Sequence, residues 1–127
     1  MRKRYELKPE YRDFMTMICK EKEIPFPYIY TSSSSKYNKS SYKSKVGYTF
    51  AYYDNGVFQR AEICLDGNLG QDEWDVLLHE FAHYIDYYQR YDSCHDKTFA
   101  LILKELIERS DRPYSLKDEY KWVARYL

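Results

Sequence analysis

Tyr11, Phe14, Met15 and Ile18 recur at i, i+3, i+4 and i+7, the spacing that lines one face of an α-helix. Pro9 suits a first helical position, where its missing N–H costs nothing. Pro25 and Pro27 remove donors and fix φ, so this helix ends before Ile24. Tyr28-Ile29-Tyr30-Thr31 reads as a short strand. From Val46 the period changes to two, with Val46, Tyr48, Phe50 and Tyr52 alternating with Gly47, Thr49, Ala51 and Tyr53. Asp54-Asn55-Gly56 follows, and Asn-Gly is a strong short-hairpin signal. The return strand, Val57 to Leu65, is expected to place Val57, Ala61, Ile63 and Leu65 on one face and Arg60 and Glu62 on the other.

Beyond Asp66-Gly67-Asn68 the helical period returns. Asp72, Glu73 and Asp75 gather where a helix would start, and acids there complement its dipole. This helix is expected to run to about Tyr91. Phe99, Ile102, Leu103 and Leu106 mark another helix, which begins near Asp96 and stops before Pro113. Ser115, with Asp118 three residues on, resembles a capping box for a last helix carrying Leu116, Tyr120, Val123 and Leu127. Helix, strands, then three helices describe an α+β arrangement in one domain, residues 1–127. Between the first two strands, residues 32–45 are Ser- and Lys-rich, with too little apolar surface to fold alone. They read as a mobile loop.

Composition narrows the class. The chain has 127 residues, 44% hydrophobic and 31% charged, which is globular. Lys+Arg and Asp+Glu both number 20, and this balance argues against a dedicated polybasic nucleic-acid module. Lys36, Lys39, Lys43 and Lys45, with Tyr37 or Tyr42 for stacking, are the residues through which a nucleic acid would be held. A solvated linker is the simpler reading of that segment. The 16 tyrosines supply apolar rings with polar tips, suited to both core and sheet surface. Cys19, Cys64 and Cys94 are odd in number and form no CxxC pair, which points to reduced thiols and a cytoplasmic setting. Cys64, beside core positions, reads as an inert thiol. Cys94 neighbours His95 and reads as a bystander to it. The first residues lack an apolar signal region and no run approaches a membrane span.

The chemistry concentrates in His79-Glu80-Phe81-Ala82-His83, an H-E-x-x-H sequence. Residues four apart share a helix face one ~5.4 Å turn apart, so both imidazoles can converge on one ion. Glu80 lies about 100° round the helix, placed to reach a metal-bound water and not the metal itself. Trp74, Leu78, Phe81 and Ile85 cluster on the opposite side of the wheel, giving the helix an apolar back and a polar front. A catalytic zinc site keeps three protein ligands and an open position. His95 is the remaining histidine and the favoured third ligand. Glu105 is its competitor, and Asp86 and Asp92 are weaker ones.

With these residues in view the chain resembles a known group. His79 to His83 followed by His95-Asp96-Lys97-Thr98-Phe99 is similar to the SprT-like metallopeptidases and their WLM and YgjP-like relatives. In those, HExxH precedes a third histidine in an HGxxF or HDxxF context that opens the next helix. Ala61 to Leu65 and Leu77-Leu78-His79 also resemble the strand and helix start of that group. The resemblance covers roughly residues 57–107. It implies a minimal zincin fold, a small mixed or antiparallel sheet on the active-site helix with an edge strand open to a peptide. The gap from His83 to His95 is nearer the SprT-like pattern than the other two. The cysteines of a zinc ribbon are missing, so the DNA-linked repair role of some relatives is not carried over.

The expected activity is zinc-dependent hydrolysis of a peptide bond in a protein or peptide substrate. Zinc acidifies a water, and Glu80 takes its proton and returns it to the leaving amine. Tyr87, one turn after His83, is a candidate oxyanion donor, and the sequence leaves Tyr84, Tyr88 and Tyr91, which lie nearby, open beside it. Asp86 and Asp96 are candidates for orienting the histidines. Two other readings remain: a non-catalytic, zinc-stabilised protein- or DNA-associated module, and a repressor-cleaving protease of the ImmA type.

Overall fold

In a computed structural model, described for residues 2–32, 47–114 and 125, the chain is α+β. The elements run β1 (Arg2–Arg4), α1 (Pro9–Lys22), β2 (Ile29–Ser32), β3 (Gly47–Asp54), β4 (Val57–Leu65), α2 (Glu73–Arg90) and α3 (Lys97–Ser110). A single 3-10 turn, Gly70–Asp72, leads into α2. The expected loop at 33–45 and the last helix at 115–127 lie outside the described residues, Arg125 apart. Ser32, expected in the loop, instead belongs to β2.

The four described strands form a mixed sheet in the order β1-β2-β4-β3. β1 pairs antiparallel with β2, β2 parallel with β4, and β3 antiparallel with β4. β1 was not anticipated. Its side chains are exposed throughout, so no burial pattern marks it. Asn55 and Gly56 both take positive φ, 50° and 79°, as the two-residue turn between twisted strands requires.

One face expectation for β4 is corrected. Val57 is 61% exposed, while Ala61, Ile63 and Leu65 are buried. Tyr52 pairs with Arg60 and Tyr53 with Phe58, leaving Gln59 as the extra residue of a bulge. One inserted residue reverses the alternation. Phe58 thus turns toward α2, where its ring meets Tyr87 and Tyr88.

The helix α2 lies against β3 and β4, and α3 packs on α2. Its apolar back works as the wheel predicts: Trp74, Leu78, Phe81 and Ile85 are buried. They join Met15 and Ile18 of α1, Ile63 and Leu65 of β4, and Phe99 and Leu103 of α3 in one cluster. On β3 the small residues Gly47, Thr49 and Ala51 pair with Leu65, Ile63 and Ala61 and so share their face. Gly47 brings the strand close: a Cβ there would stand 3.0 Å from Val76 Cγ1 and 3.1 Å from Glu80 Cγ. No described helix is long and apolar enough to cross a membrane.

Candidate metal centre

Two histidines come from one helix turn and the third from the loop that follows. His79 and His83 stand on α2, and α2 ends at Tyr91, whose φ of 63° turns the chain back. His95 lies just before Asp96, which caps α3 by accepting a hydrogen bond from the Phe99 N–H at 3.1 Å. This reversal brings His95 Nε2 to 3.0 Å from His83 Nε2 and 3.2 Å from His79 Nε2. The three side chains offer ligand atoms that all lie within 4.8 Å of one another, close enough to bind one metal ion.

The donor set fits a small divalent ion. Zinc–nitrogen bonds of ~2.0–2.1 Å at a tetrahedral angle put ligand nitrogens about 3.3 Å apart, close to the two spacings observed. Phe99, fully buried, forms the floor: its ring stacks on His83 at 4.1 Å and meets His79 and His95 edge-on or nearly so at 5.1 and 5.2 Å.

Ser93 stands between His83 and Asp86. Ser93 Oγ donates to Asp86 Oδ2 at 2.8 Å and lies 2.8 Å from His83 Nδ1. Burial, with His79 and His95 beside it, depresses the His83 pKa to about 2, so this imidazole stays neutral.

Glu80 is buried, and its two oxygens have different surroundings. Oε1 lies 2.8 Å from Thr49 Oγ1 on β3. Oε2 faces the histidines, 3.9 Å from His79 Nε2. The base expected from the sequence thus stands beside the convergent nitrogens without being one of the three ligands.

The competing ligands lie elsewhere. Glu105 pairs with Lys22 at 3.2 Å and Arg109 at 3.7 Å, toward α1. Asp86 is fully buried and turned to Arg90 and Ser93. Asp92 accepts from the Ser93 N–H. Cys94 is exposed and donates to Asp96 Oδ2 at 3.3 Å. Tyr87 stacks parallel to Phe58 at 6.3 Å. Burial, with Tyr53, Asp92, Asp86 and Glu80 nearby, raises its phenol above the usual range, so it keeps the proton that a donor needs.

Asp86 and Asp96, expected to orient the histidines, are joined to each other by Arg90, which the sequence reading missed. Arg90 donates to Asp86 Oδ1 at 2.6 Å and Oδ2 at 2.7 Å, and to Asp96 at 2.9 and 3.1 Å. Ser93 and Thr49 were also missed. Thr49 carried a faint signal, since it sits in phase with the small-residue face of β3. Ser93 carried none. No protein-family model, curated protein or solved structure matches the chain.

Proposed function

We propose that this protein is a zinc-dependent peptidase built on a minimal zincin fold, similar to the SprT-like enzymes. The carrying observation is a buried glutamate aimed at a three-histidine centre. Glu80 Oε1 is fixed by Thr49, and Oε2 lies 3.9 Å from His79 Nε2. A centre that served only stability would not need a carboxylate there. His79, His83 and His95 would hold the metal. Zinc at such a site supplies an acidified water and a Lewis acid for a carbonyl oxygen.

The chain supplies the rest. Glu80 Oε2 accepts the proton of the attacking water and delivers it to the leaving amine, while the Thr49 hydroxyl keeps the carboxylate from rotating away. The Tyr87 phenol is the candidate donor to the developing oxyanion. Among the described strands β3 is an edge strand, and an extended peptide can add there by main-chain hydrogen bonds. Its Thr49 touches the base, so a peptide bound along β3 runs past the centre.

The test pairs metal content with cleavage. The full chain should carry about one zinc, and His95→Ala should lose most of it. Zinc-loaded protein should cleave members of a quenched fluorescent peptide library, and Glu80→Gln should retain zinc but lose cleavage. Equal cleavage by Glu80→Gln overturns the proposed mechanism. Zinc binding with no cleavage of any peptide favours a zinc-stabilised binding module.

A further inference from the structure

We infer that Ser93 is a positioning residue of the metal centre, relaying the Asp86 carboxylate to His83 and thereby fixing the tautomer in which His83 can ligate. The inference rests on the metal-centre reading above. It concerns how the centre is prepared, a role that the H-E-x-x-H pattern does not contain.

The proton positions follow in order. Asp86 is fully buried and receives two N–H groups of Arg90, at 2.6 and 2.7 Å. A carboxylate so paired only accepts hydrogen bonds. The Ser93 hydroxyl, 2.8 Å from Oδ2, therefore spends its single proton on Asp86. What Ser93 offers His83 Nδ1, 2.8 Å away on its other side, is a lone pair. The imidazole is thus protonated at Nδ1 and bare at Nε2, the atom 3.0 Å from His95 Nε2. The opposite tautomer would set two lone pairs against each other at the Ser93 contact and an N–H against the metal position.

The same set of groups places His95. Arg90 spans Asp86 on α2 and Asp96 at the start of α3, so Ser93 and His95 lie in a short loop tied at both ends. The guanidinium fixes the loop, and the loop carries both the relay and the third ligand. Partners of this kind typically contribute 10–100-fold to metal affinity.

The experiment uses the full chain with Ser93→Ala and Ser93→Thr. Zinc affinity is read by chelator competition, and His83 is read in the metal-free protein by histidine side-chain nitrogen NMR. Ser93→Ala should weaken zinc binding about 10–100-fold at unchanged circular dichroism. It should also release His83 into a mixture of tautomers. Ser93→Thr, which keeps the hydroxyl, should restore both. Wild-type affinity in Ser93→Ala overturns the relay, as does a His83 tautomer that Ser93→Ala leaves unchanged. If the wild type binds no zinc while Ser93 still locks the tautomer, the metal reading fails and the relay stands.

Discussion

Thr49 Oγ1 stands 2.8 Å from Glu80 Oε1 and 2.9 Å from the Glu80 carbonyl oxygen, so one hydroxyl on β3 touches both the side chain and the backbone of one residue on α2. A strand is thereby keyed to the helix at the residue whose carboxylate faces the histidines. Thr49→Val keeps the shape and removes the hydroxyl. The hydroxyl has one proton, which the charged carboxylate takes as the stronger acceptor; a hydrogen bond to a charged group is worth ~1.5–3 kcal/mol, so peptide cleavage should fall about tenfold or more. The loss should appear in kcat, with zinc content and KM held. Steady-state kinetics on a cleaved library peptide checks this, and Thr49→Ser should recover most of the rate.

The close approach at Gly47 has its own consequence. A Cβ there meets Val76 Cγ1 at 3.0 Å, Glu80 Cγ at 3.1 Å and Leu65 Cδ2 at 3.2 Å. Gly47→Ala should destabilise the fold by about 1–3 kcal/mol, the usual range for overpacking, and should displace Glu80. Urea unfolding measures the first and peptide cleavage the second. A variant as stable and active as wild type would show that strand and helix part without cost.

Arg90 is the sole described side chain that spans both Asp86 and Asp96. Arg90→Met leaves the fully buried Asp86 without its cation and should cost about 3 kcal/mol, since an unpaired buried charge is strongly destabilising. Adding Asp86→Leu removes that charge and should recover part of the loss, although it alters a second residue. Thermal unfolding of the single and double variants in the metal-free state decides the point.

Acid should weaken the metal-free protein in two windows. His83 is held neutral with a pKa of about 2 against an ordinary 6.5, through burial and its two histidine neighbours. Below pH 6.5 the unfolded chain binds a proton that the folded chain refuses, so stability falls as pH drops from 6.5 toward 2. The slope is at most about 1.4 kcal/mol per pH unit. Asp96 is held well below its ordinary 3.8 by Arg90 and the Phe99 N–H, and its contribution is lost only below that value. Denaturant midpoints between pH 7.5 and 3 should show the first decline in wild type and its absence in His83→Gln. A flat wild-type profile from pH 7 to 5 would count against the burial of a neutral His83.

The apolar back of α2 was legible because a 3.6-residue period projects Trp74, Leu78, Phe81 and Ile85 onto one side whatever the helix packs against. The hairpin was legible because Asn55 and Gly56 tolerate positive φ. The face of Val57 was misread, since a bulge is a property of two paired strands and Gln59 carries no mark of it. The three-stranded neighbourhood of β2 was invisible for a similar reason. Arg2–Arg4 has no buried side to produce a pattern, and its pairing rests on backbone groups that every residue owns.

His79, Glu80 and His83 were determined by the sequence alone, because four-residue spacing on a helix fixes their relation before any folding of the rest. Which of His95 and Glu105 comes to stand beside His79 and His83 was decided by tertiary structure: the turn at Tyr91 and the Arg90 bridge return His95 to the helix, while Glu105 faces α1. The Ser93 relay and the Thr49 clasp belong to the same class. Each joins groups brought together by chain reversal or sheet packing, and such contacts depend on distance in space, which local periodicity does not encode.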